Sequence, residues 1–99
     1  MAESVKFDGK TYVGIKQNLG NLPLIIVCAK RGYIACSYVD KATAEKVGDV
    51  AAFVSGVKEY SDFFNAKIKT TTTWAEALVI REGMSVRKAL ELMDQEEQD

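Results

Sequence analysis

The stretch LIIVCAKRGYIACSYVD, Leu24 to Asp40, decides the fold. Leu24–Ala29 is apolar at every position, and Tyr33–Val39 is almost as apolar. Neither run alternates, so each reads as a strand with both faces covered. The turn between them contains Lys30, Arg31 and Gly32. A two-residue type I′ turn would need positive φ at Arg31, so a three-residue loop ending with Gly32 in the left-handed conformation fits better. In that register Ala29 faces Tyr33, Cys28 faces Ile34 and Ile26 faces Cys36. The two cysteines then share a face without being opposed. In the two-residue register they point to opposite faces. Neither register favours a disulfide.

Before this apolar hairpin (22–39) lies another, at 1–18. SVKFD (Ser4–Asp8) and KTYVGIKQ (Lys10–Gln17) both alternate, and Asp8-Gly9 between them tolerates positive φ. NLGNLP (18–23) is a loop rich in turn residues. After the apolar hairpin Asp40 caps a helix, with Ala44, Val47 and Ala51 as a loose stripe interrupted by Gly48-Asp49. Val50–Val57 reads as a strand stopped by Gly56. Ser61 or a neighbour caps a short helix with Tyr60, Phe63 and Phe64 on one side. Ala66–Trp74, AKIKTTTTW, is β-branched and alternating, which predicts a strand with one wet face near 67–74. AEALVIREG is a short helical turn ending at Gly83. Ser85 caps the last helix, whose Val86, Ala89, Leu90 and Met93 follow helical spacing. DQEEQD at the end reads as an acidic, solvated tail.

These elements predict an α+β fold of 99 residues in one domain: a central antiparallel or mixed sheet with about three short helices. Apolar residues make up 47% and charged residues 27%, which matches an ordinary globular protein and argues against disorder. Thirteen basic and 14 acidic side chains give a net charge of −1, so no general field attracts nucleic acid. The longest apolar run, eight residues at Leu22–Ala29, is too short for a bilayer, and no signal peptide is apparent. A cytoplasmic protein with two free thiols is expected.

The residues KFDGKTYVGIK, PLIIVCAKRGYIACSYVD, GDVAAFVSGVKEYSDFFNAKI and EGMSVRKALELM together resemble the YunC-like family, a small bacterial and archaeal domain of unknown function. The resemblance runs from about Val5 to Met93. Its specific pieces are Gly32, Tyr33 and Cys36; Gly56-Val57; and Gly83-Met84-Ser85 before Ala89-Leu90. Ser37 and Val86 stand where the family tends to have glycine, which bears on any shared binding role there. The resemblance implies a compact domain with no established reaction.

The chain has no histidine, so a Cys–His pair within it is excluded. Cys36 remains the candidate nucleophile, with Asp40 to orient a partner and Lys30, Arg31 or a helix end to activate it. The bland alternative is a small apolar side chain in a buried strand. Two cysteines without histidine offer a metal too few soft ligands, and the carboxylates lack calcium-loop spacing. No metal and no cofactor are implied. Candidate ligand-binding residues are Gly32, Tyr33, Gly83, Met84, Ser85 and Arg87, the last four at a helix start where a small anion could dock. Lys67 and Lys69 with Thr71 and Thr73 read as a protected edge strand rather than a nucleic-acid surface. Tyr60, Phe63, Phe64 and Trp74 read as core. The doubly apolar hairpin needs cover on its second face, which a second copy could supply. The expected function is an oligomeric binding or structural module. The alternative is a small enzyme using Cys36.

Overall fold

The computed structural model describes residues 2–95, and the acidic stretch beyond Gln95 lies outside the described residues. The fold is α+β. β1 (Ala2–Phe7), β2 (Lys10–Asn18), β3 (Pro23–Cys28), β4 (Tyr33–Cys36), β5 (Ala51–Val54) and β6 (Thr70–Thr71) form one sheet in the order 1-2-3-4-5-6. β1 to β4 run as an antiparallel meander. α1 (Lys41–Val47) then carries the chain across so that β5 lies parallel to β4. α2 (Tyr60–Phe64), α3 (Thr73–Glu76) and α4 (Val86–Asp94) complete the chain.

Local chemistry accounts for the element ends. Asp8 (φ 53°) and Gly9 (φ 76°) make the left-handed pair of the first hairpin turn. Asp40 caps α1 by accepting from the amides of Ala42 and Thr43. Gly48, at φ 85°, ends that helix. Ser85 caps α4, its hydroxyl accepting from the Lys88 amide. α2 is capped not by Ser61 but by Glu59, with the Asp62 carboxylate accepting from the Lys58 and Glu59 amides.

The sheet has two unequal faces. One carries Tyr12, Ile25, Val27, Ile34, Cys36, Ala52 and Val54 and is covered by α2 and α4, whose Phe63, Val86, Ala89, Leu90 and Met93 are fully buried. The other is covered only over β4 and β5, where Ala44 of α1 packs with Ala35, Ala51 and Phe53. On that second face Val13 opposes Cys28 and Ile15 opposes Ile26. Val13 is 49% exposed, and the other three are half-buried.

Several sequence expectations are corrected. The turn at 30–32 is not a three-residue loop with a left-handed Gly32. Cys28 pairs with Tyr33, and the Ala29 amide donates to the Gly32 carbonyl, which leaves Lys30 and Arg31 as a two-residue loop. The cause lies far along the chain. The end of α4 takes up the turn's amides: that of Arg31 donates to the Met93 carbonyl, and that of Lys30 to the Asp94 carboxylate. Gly32 is needed for a different reason, because a Cβ there would lie 2.4 Å from the Val50 carbonyl oxygen. β4 stops at Cys36 rather than Val39, since its parallel partner β5 ends opposite it at Val54.

Ala51 lies in β5 and not on the helix stripe, and Val47 is 65% exposed. The strand read at Ala66–Trp74 shrinks to a Lys67–Ser85 bridge and the two residues of β6. Threonine hydroxyls compete with the ladder there. Thr72 Oγ1 accepts from the Ala75 amide and so opens α3, a fourth helix. Trp74 therefore sits on that helix, 53% exposed rather than in the core.

Candidate functional site

Parallel pairing of β4 with β5 brings two strand ends together that are far apart in sequence. Ser37 and Tyr38 follow Cys36, while Ser55 and Gly56 follow Val54. A cleft of about 250 Å³ opens at these carboxyl ends, the usual place for ligands in sheets with parallel strands. Pro23, Cys36 and Val57 are the buried part of its lining, and Leu22 is half-buried. Ser37, Tyr38, Ser55 and Gly56 are its exposed part. Gly56 holds φ at 73°, a conformation costly for a residue with a side chain. Every lining side chain is uncharged.

The Cys36 thiol is 4% exposed and already partnered. Its Sγ accepts from the Ile25 amide at 3.4 Å and lies 3.9 Å from the Pro23 carbonyl oxygen as donor. Asp40 is exposed and does not line the cleft. Its carboxylate accepts from the Thr43 hydroxyl at 2.6 Å and from the amides of Ala42 and Thr43. The hydroxyl bond above all, aided by the two amides, holds its pKa below the ordinary carboxylate value. The structure therefore does not bring Asp40 and Cys36 together as a catalytic pair.

The remaining sequence-predicted residues lie elsewhere. Gly32 and Tyr33 stand at the opposite end of β4. Tyr33 Oη donates to Asp49 Oδ2 at 2.6 Å, and burial together with that bond pushes its pKa up to about 12. Gly83 (φ 88°) and Met84 form the turn before α4, where the Gly83 amide donates to the Ile68 carbonyl and the Ile68 amide to the Met84 carbonyl. Ser85 is the helix cap. Arg87 pairs with Asp8 and lies 4.9 Å over the Phe7 ring, tying the first hairpin to α4. Among the described residues no three Cys, Asp or Glu side chains converge as a metal site.

Sequence reasoning singled out Cys36 and missed Ser37, Ser55 and Val57 as its neighbours. Gly56, read as a strand stop and as part of the Gly56-Val57 piece of the family resemblance, was the available signal. A family profile described as "Domain of unknown function (DUF1805)" matches residues 35–93, which include both strand ends. The chain belongs to this family. It is 31% identical over 90 residues to "Uncharacterized protein YunC" of Bacillus subtilis (strain 168), covering 87% of this chain and 89% of that protein. It is also similar to the crystal structure of a protein of unknown function, TA1206, from Thermoplasma acidophilum. That match has a TM-score of 0.85 and 33% identity, over 94% of this chain and 91% of the other. The family resemblance drawn from the residues is thus borne out, and it assigns no reaction.

Proposed function

We propose that this chain is a small self-associating binding module whose ligand seat is the cleft at the carboxyl ends of β4 and β5. One observation carries the reading: the Cys36 thiol in that cleft is held by the Ile25 amide and the Pro23 carbonyl, among uncharged walls. A nucleophilic cysteine needs a base or cation to form thiolate. The cleft around Cys36 offers neither, and its uncharged walls suit an apolar occupant instead, which supports binding over the cysteine-enzyme alternative. The test uses a Cys28→Ser variant, leaving Cys36 as the sole thiol. Slow labelling by a disulfide reagent at neutral pH, accelerated by urea and slowed further by benzyl alcohol, is expected. Rapid labelling of the native protein rejects the binding reading in favour of the enzyme.

Self-association uses the open second face of β1, β2 and β3, and the occupant is a second copy. Three strands about 4.8 Å apart and about 25 Å long present a face of order 400 Å² in projection. Side-chain relief brings this toward the roughly 800 Å² that each partner contributes to a standard interface. Val13, Ile15, Ile26 and Cys28 supply its apolar centre. Sedimentation equilibrium is expected to show a dimer that Val13→Glu converts to monomer. A wild-type monomer at about 100 µM overturns it, since a useful dimer holds at micromolar Kd. A cytoplasmic seat, where both thiols stay reduced, accompanies this reading. A fluorescent fusion found outside the cytoplasm would reject that part.

A further inference from the structure

We infer that the cleft is one half of a bipartite site for a small amphiphilic anion. The other half is a hollow of about 230 Å³ on the opposite face of the same strand ends. This inference rests on the cleft being a ligand seat and adds the chemistry of what sits there.

Ser37 lines both hollows. It follows the last residue of β4, and its hydroxyl donates to the Val54 carbonyl at 3.0 Å, so it lies across the two strand ends. Cys36 faces the first hollow and Phe53, on the other side of the sheet, the second. The hollows therefore meet around the edge formed where β4 and β5 stop.

Their chemistry is complementary. The first has no charged wall. The second holds Lys41, Lys69 and Asp40 beside Thr70. The Asp40 carboxylate is already taken up by Thr43 and the Ala42 amide. Neither lysine has an ion-pair partner among the described residues. The second hollow is thus left with a net excess of one positive charge and two uncommitted ammonium groups. A cavity of roughly 150 Å³ suffices for benzene, so the first hollow takes a ring or branched chain of about six to ten heavy atoms. A carboxylate or phosphate joined to that body by a short linker reaches round Ser37 to Lys41 and Lys69.

The experiment is an amide NMR titration of the full chain with 4-phenylbutyrate, 4-phenylbutan-1-ol and inorganic phosphate. Phenylbutyrate is expected to move the amides of Ser55–Val57 together with those of Lys41, Lys69 and Thr70, and to bind about fivefold to tenfold more tightly than the alcohol, the scale of one or two ion pairs near the surface. A Lys41→Gln/Lys69→Gln double variant should bring it to the alcohol's affinity and leave the alcohol unchanged. Tyr38→Ala, at an exposed wall position, should weaken both. Equal binding of acid and alcohol, or a double variant that binds phenylbutyrate as before, overturns the bipartite site while leaving the cleft intact. Phosphate moving the lysine amides as strongly as phenylbutyrate also overturns it. If neither phenyl compound moves Ser55–Val57, the ligand seat itself falls.

Discussion

The backbone carbonyl of Val50 occupies the space that a side chain on residue 32 would need: a Cβ on Gly32 would lie 2.4 Å from that oxygen and 2.7 Å from a Val50 methyl. The Tyr33 amide donates to the same carbonyl at 3.0 Å, so the approach is fastened and cannot relax outward. Gly32→Ala is expected to cost about 2–3 kcal/mol, the scale of overpacking in a closed site. A urea titration measures it, and a loss below about 0.5 kcal/mol contradicts the fastening.

Thr72 is fully buried and its one hydroxyl serves three backbone groups. It donates to the Asp49 carbonyl at 2.7 Å and accepts from the amides of Ala51 and Ala75. Thr72→Val keeps the volume but removes the hydroxyl from the Asp49 carbonyl and the Ala51 amide and leaves the Ala75 amide only the Thr72 carbonyl, so a loss of about 2–3 kcal/mol is expected. Thr72→Ser should retain most of the stability, and its failing as badly as valine would contradict the hydrogen-bond account.

Val79 holds φ at +68°, a conformation that β-branched residues avoid. The Val79 amide donates to the Glu76 carbonyl and the Ile80 amide to that of Ala75, the paired bonds of a helix end where glycine is usual. The side chain is 61% exposed and contributes little packing. Val79→Gly should therefore stabilise the protein by about 1 kcal/mol, raising Tm by roughly 4–8 °C for a domain of this size. A lowered Tm in calorimetry would show that the valine makes a contact of greater worth.

Tyr33 titrates near 12 against an ordinary value of 10.0, because of burial first and the Asp49 bond second. Below pH 10 the phenol is protonated in both folded and unfolded chains, and its bond to Asp49 stands at full strength. Between pH 10 and 12 the unfolded chain ionises first, so stability falls across that window. Tyr60, raised to about 12 by burial and its bond to Glu3, acts in the same direction. Urea midpoints should drop from pH 10 to 12, and less steeply in Tyr33→Phe. Equal slopes in the two proteins would remove Tyr33 as a cause.

Much of the fold was legible where local chemistry decides it. Asp8-Gly9, the Asp40 and Ser85 caps and the apolar stripe of α4 each specify structure within one turn of themselves. Errors arose where a distant segment satisfies a local need. The turn at Lys30-Arg31 looks unfavourable in isolation because the Met93 carbonyl and the Asp94 carboxylate of α4 that complete it lie some sixty residues away. The threonine run reads as strand by β-branching, yet the Thr72 hydroxyl prefers a cap. Of the cleft's walls, the residues themselves singled out Cys36 as chemistry, and Ser37 and Gly56-Val57 stood out through the family resemblance alone. Ser55, Gly56 and Val57 reach the cleft through the parallel register of β4 and β5, which no periodicity encodes.

The strand order has a consequence for how the chain is made. Each ladder joins neighbours in sequence, so the meander through β4 can assemble as it leaves the ribosome. The lid over Ile25, Val27 and Ile34 belongs to α2 and α4, which are translated later. During synthesis a sticky sheet therefore waits for its last helix, and a ribosome that stalls before residue 86 would leave that surface bare to chaperones or to other nascent chains.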